Sequence, residues 1–120
     1  MNTPVSLPIA KLLKEKGFDK PTFGFYSYSS NKYDTYSQLI RVNLLSDNYA
    51  APTIADVVMW LYEKHGIWIS VYQYKDHAAD NNDPILFRSK ITGRNEWLNE
   101  SNSPTKEYEA AFDYILNNLI

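Results

Sequence analysis

The 120-residue chain contains no cysteine. That absence removes disulfide frameworks, thiolate metal sites, iron–sulfur clusters and cysteine nucleophiles, and it agrees with a reducing cytoplasm. Long apolar runs are also missing: no stretch approaches the roughly 18 residues that cross a bilayer. The first helix-like pattern carries Lys11, Lys14, Glu15 and Lys16, so neither a signal peptide nor a membrane anchor is expected and a cytoplasmic location follows. Four glycines leave little with which to cradle a phosphate, and there is no Walker-type loop, G-x-S-x-G elbow or H-E-x-x-H pair. No cofactor or metal is implied and no catalytic constellation is visible, so a non-enzymatic role is expected. Neither sign of charge dominates. Fourteen acids against twelve bases give a formal net charge of −2, which disfavours nucleic acid, whose binding depends on neutralising phosphates.

What is present suits one α+β domain over residues 1–120, with 44% hydrophobic and 22% charged residues. Folding can bury about two thirds of the surface of a chain this long, so a core needs no staples. Ser6 and Pro8 ahead of Ile9, Leu12 and Leu13 predict a short helix, with Ser6 as its cap. Gly17 stops it, placing Leu13 and Phe18 for the hydrophobic contact of a Schellman motif. Thr22–Tyr28 and about Tyr36–Leu45 read as strands around a Ser29–Asp34 turn. Thr53 with Asp56 three residues on forms a capping box for a helix carrying Ile54, Val57, Val58 and Leu61, closed by Gly66.

Ile67–Tyr74 and Ile85–Ile91 read as a second pair of strands, with Lys75–Pro84 a polar loop between them and Thr92–Asn102 a loop around Trp97. After Ser103-Pro104, Tyr108, Ala111, Phe112, Ile115, Leu116 and Leu119 mark one apolar helical stripe. The order is αββαββα, which implies an antiparallel sheet of about four strands with helices packed mainly on one face.

If the aliphatic residues of each strand face the helices, the opposite face collects Tyr26, Tyr28, Arg41, Trp68, Tyr72, Tyr74 and Arg88, together with Gly24, Leu39, Leu86 and Lys90. Tyr, Trp and Arg dominate interface hot spots because they join large rigid area to polar tips. This face is therefore the expected site for a protein partner or a second copy. A nucleotide-like small ligand stacked on the same rings, with Arg41 or Arg88 meeting its phosphate, is the alternative. Tyrosines are also good strand formers, and the first helix or a long loop could cover this face as a second small core. A basic patch of Lys11, Lys14, Lys16, Lys20 and Arg41 is a further nucleic-acid candidate. The run Asp76–Asp83 lacks EF-hand spacing and reads as a solvated turn. His65 sits where a cation suits a helix C-terminus. Glu63, His65, Asp76, His77 and Arg88 could meet only through tertiary folding.

Three stretches together resemble a known group: Lys11-Leu12-Leu13-Lys14-Glu15-Lys16-Gly17-Phe18; Ala51-Pro52-Thr53 leading to Trp60-Leu61-Tyr62-Glu63-Lys64-His65-Gly66-Ile67; and Tyr108-Glu109-Ala110-Ala111 to Leu119. The pattern is similar to small uncharacterised proteins encoded by Bacteroidetes phages, prophages and mobile elements. The resemblance implies a mobile-element origin and a bacterial cytoplasm, with no activity to carry over. Each stretch is also a helix with its cap or stop, and so specifies fold.

Overall fold

The computed structural model describes residues 2–74, 85–94 and 96–120. In chain order the elements are helix α1 (Leu7–Glu15), strands β1 (Thr22–Tyr26) and β2 (Tyr33–Ile40), the one-turn helix α2 (Val42–Leu45), strand β3 (Tyr49–Ala50), helix α3 (Ile54–His65), strands β4 (Ile69–Tyr74), β5 (Leu86–Ile91) and β6 (Asn99–Ser101), and helix α4 (Pro104–Asn118). The class is α+β, but the single sheet of about four strands is replaced by two antiparallel sheets of three, ordered β2-β1-β3 and β4-β5-β6. Each hairpin expected from the alternation gains a short third strand. Two-residue β3 and three-residue β6 are too brief to carry a period, which is why pattern reading merged the hairpins. The molecule measures 52 × 30 × 21 Å with a radius of gyration of 15.7 Å, above the about 13.6 Å of a compact domain of this length.

The helix ends follow local chemistry. Thr53 Oγ1 accepts from the Asp56 amide and the Asp56 carboxylate accepts from the Thr53 amide, both at 3.2 Å. At the other end of α3, Gly66 is left-handed at φ 68° and the Ile67 amide reaches Leu61 O. The expected Schellman contact after α1 is also present: the Phe18 amide donates to Leu13 O at 2.9 Å and both side chains are buried. The Ser6 side chain, by contrast, makes no capping bond. Its backbone N–H donates instead to Glu109 Oε1 on α4, at 2.7 Å.

The second expected strand departs most from the sequence reading. It starts at Tyr33 and ends at Ile40, and Val42–Leu45 turn into helix α2. The alternation Ile40, Val42, Leu44 looked extended, but the Asn43 side chain fixes the turn: its Nδ2 donates to Phe18 O and its Oδ1 accepts from the Ala50 backbone N–H. Only Val42 of that helix is buried.

One core joins both sheets. α1 contributes Ile9 and Leu13, α3 contributes Val57, Trp60 and Leu61, and α4 contributes Ala111, Phe112, Ile115 and Leu116 from its predicted stripe. α4 lies along the inner face of the second sheet, where Ile69 and Ile91 are register partners and both buried. In the first sheet, Gly24 lies under the ring of Tyr33. A Cβ there would sit 2.8 Å from Tyr33 Oη and 3.0 Å from Ala51 O. Gly24→Ala is expected to cost about 1–3 kcal/mol in urea unfolding, because relieving the contact means shifting the Ala51 backbone, whose N–H bonds Gly24 O.

Glu109 gives a second stability test. Burial pushes its carboxyl above the ordinary range, while the hydrogen bonds from Ser6 pull the other way. Its Oε2 atom is buried with no hydrogen-bond partner among the described residues. A raised folded-state value means this group favours folding most fully below the unfolded carboxyl value, and that contribution is lost as pH rises through the folded value. Glu109→Gln keeps an acceptor for Ser6 and removes the charge. Its melting temperature should exceed that of the parent at neutral pH, and the gap should close as pH falls below about 4.5.

Candidate functional site

The outer face of the second sheet is built by strict alternation. Register rows run Tyr72↔Arg88↔Glu100 across β4, β5 and β6, with Ser70↔Lys90 beside them. Over these rows lies Trp97, from the segment entering β6. Its ring stands edge-to-face on Tyr72, with centroids 5.7 Å apart and planes at 85°. The Arg88 guanidinium lies 5.6 Å from the Trp97 centroid, and Lys90 Nζ lies 5.2 Å from Trp97 and 5.6 Å from Tyr72. Such cation–ring contacts add about 0.5–1 kcal/mol at exposed sites. Arg88 Nε also faces Glu100 Oε1 at 3.7 Å.

Immediately before β4, Trp68 meets Tyr62 of α3 edge-to-face at 5.5 Å. Four aromatic rings thus remain open to solvent on or beside this sheet: Tyr62 at 53%, Trp68 at 41%, Tyr72 at 46% and Trp97 at 46%. Trp60, by comparison, is buried.

A buried carboxylate holds this face in position from behind. Glu107, in the first turn of α4, is fully buried; its Oε1 accepts from Ser89 Oγ at 3.0 Å and its Oε2 from Asn99 Nδ2 at 2.8 Å. It therefore clamps β5 and β6 to α4, and the Leu98 amide adds a bond to Ser89 O at 2.8 Å. Trp97 is attached to that clamped segment. On the same inner side, a cleft of about 420 Å³ is lined by Val71, Gln73, Phe87, Thr105 and Tyr108, with Ile54 and Pro104.

The seven residues nominated from sequence do not form one face. Tyr72 and Arg88 are register partners on the outer side of the second sheet, while Trp68 stands immediately before β4 against Tyr62 of α3; Tyr74 pairs with Leu86 at the backbone, and its side chain lies outside the described residues. Tyr26, Tyr28 and Arg41 belong to the first sheet and its connections. Tyr26 is half-buried, and its hydroxyl donates to Val5 O at 2.6 Å. Burial, the Glu109 charge and Tyr33 push its phenol up from the ordinary value. Tyr28 is exposed beyond β1 with its amide bonded to Asn48 Oδ1, and Arg41 is exposed at the start of α2. The separation follows from the chain path. Each hairpin takes its third strand locally, so among the described residues no ladder joins the two sheets.

The covering expected as a competing possibility is real for the first sheet. Lys11 and Lys14 of α1 lie over the Tyr49 ring, and Lys14 Nζ donates to Ser46 O and Asn48 O. Two members of the basic patch are therefore engaged in packing. His65 meets Trp60 edge-to-face at 5.0 Å in the last turn of α3. Asp76, His77 and the rest of the Asp76–Asp83 run lie outside the described residues. Among the described residues, no group of three His, Asp or Glu side chains could hold a metal ion, and no helix is long and apolar enough to cross a membrane.

Sequence reading missed Trp97, Tyr62 and Glu107 as parts of this site. Glu107 had a visible signal: it stands four and eight positions before Ala111 and Ile115, a carboxylate on the apolar stripe of α4. Trp97 had none, since β6 is too short to show alternation. No protein-family model, curated protein or solved structure matches the chain. Glu107→Ala would strip both Ser89 and Asn99 of an acceptor, so it should cost at least about 2 kcal/mol in denaturant unfolding. It should also change Trp97 emission as β6 loosens.

Proposed function

We propose that the protein is a non-enzymatic accessory protein of phage or mobile-element origin that binds a protein partner through the outer face of the β4-β5-β6 sheet. The observation that carries this reading is the cluster of Tyr72 and Trp97 with Arg88 and Lys90, with the separate ring pair Trp68 and Tyr62 ahead of β4. Tyr, Trp and Arg carry most of the energy at protein interfaces; here the rings are exposed and Arg88 and Lys90 partly so, and ring and cation contacts hold them. Their side-chain freedom is already restricted before a partner arrives, which lowers the entropic cost of binding.

Stacking of a nucleotide-like ligand draws less support. The Tyr72 and Trp97 planes meet at 85°, so they leave no parallel slot for a base. The 420 Å³ cleft lies on the other side of the sheet and is lined by none of the seven nominated residues. The net charge of −2 weighs against a nucleic-acid strand on this face.

The test is quantitative partner recovery with the tagged protein in a bacterial host, read by native mass spectrometry. Tyr72→Ala with Trp97→Ala should reduce the recovered partner at least about tenfold while the melting temperature stays within a few degrees. Undiminished recovery by the folded double variant would reject this face, and a small fixed mass increment in place of a protein chain would favour the ligand reading.

A further inference from the structure

We propose that two copies of this chain associate through the outer edge of β4, pairing antiparallel about a two-fold axis to form one six-stranded sheet. Open sheets end in strand edges with unpaired backbone groups. A two-sheet molecule has four of them, and three are blunted. β2 carries a register irregularity opposite Thr22 and Gly24, β3 has two residues, and β6 has three, one of them Glu100. Bulges, short length and charge are the usual devices that stop sheets from adding strands.

β4 has none of these protections. Its sequence Ile69-Ser70-Val71-Tyr72-Gln73-Tyr74 holds no charge, no proline and no glycine. Its ladder with β5 runs without a break from Ile69↔Ile91 to Tyr74↔Leu86. Among the described residues, no strand and no backbone hydrogen bond takes its other side. Six residues, four of them β-branched or aromatic, with an open row of donors and acceptors form a template for another extended chain.

Three features select a second copy as that chain. The segment is neutral, so antiparallel self-pairing brings no like charges together. An antiparallel pair of identical strands is self-complementary, so the contact closes at two copies. The edge at the far side of the same sheet is the short, charged β6, which does not extend the assembly. Six paired residues span about 20 Å. With the exposed flanks of Trp68, Tyr72 and Gln73 the contact amounts to about 500 Å² per copy, at the low end of specific interfaces. The dimer should therefore dissociate in the micromolar range. It would set two aromatic outer faces side by side in one continuous sheet.

Sedimentation velocity of the full chain from about 1 to about 300 µM tests this. The weight-average mass should rise from 13.9 kDa towards twice that value, and amides within residues 69–74 should gain exchange protection over the same range. Gln73→Lys puts a charge into the exposed edge without touching the aromatic cluster. It should raise the dissociation constant at least about tenfold while the melting temperature at low concentration changes little. If that variant proves unstable, the concentration-dependent protection of residues 69–74 in the parent chain decides alone. A single 13.9 kDa species throughout, or a dimer whose β4 amides stay unprotected, would overturn the proposal. So would a monomer whose β4 edge becomes protected only on adding another protein. Trp97→Ala keeps this question apart from the face proposed for partner binding: it should leave the dimer intact while weakening partner recovery.

Discussion

Among the described residues the two sheets share no hydrogen-bonded ladder, so the fold depends on α4 to hold them in one body. Its apolar stripe supplies most of the adhesion, but the alignment is set by two carboxylates two positions apart. At 100° per residue they project to nearly opposite sides of the helix. Glu107 turns to the second sheet and takes Ser89 and Asn99; Glu109 turns to the first helix and takes the Ser6 amide. Apolar packing alone is non-directional and tolerates sliding. Two carboxyl acceptors with fixed partners do not.

These two carboxylates differ in how well they are served. Both oxygens of Glu107 are hydrogen-bonded within a fully buried site, whereas Glu109 leaves one oxygen without a partner among the described residues. An unserved buried acceptor forfeits part of what the other bond gains. The joint to the second sheet is thus the firmer one, and that sheet carries the exposed aromatic cluster.

Helices were readable in the sequence because their signals are local. Thr53 with Asp56, Gly66 after His65, Gly17 before Phe18 and the stripe from Tyr108 to Leu119 each occupy a few consecutive positions, and each appears where expected. The strands of β4 and β5 were also legible, since both alternate over six residues. The sheets were not, because β3 and β6 are shorter than any period and pairing is a long-range property. Asn43, which breaks an apparently alternating strand, acts through bonds to Phe18 and Ala50 that no local window contains. The site inherited this limit. Tyr72 and Arg88 are register partners in the second sheet, whereas Tyr26, Tyr28 and Arg41 were grouped with them only by supposing one sheet.

Register in the second sheet divides its residues by parity. Positions 69, 71, 89 and 91 face the core, while positions 70, 72, 88, 90 and 100 face outward. Packing and solvent exposure therefore fall on separate sets of codons. The outward set can diverge while selection on folding keeps the inward set fixed, so lineages of this fold can retain their core long after their outer sheet faces have lost all likeness.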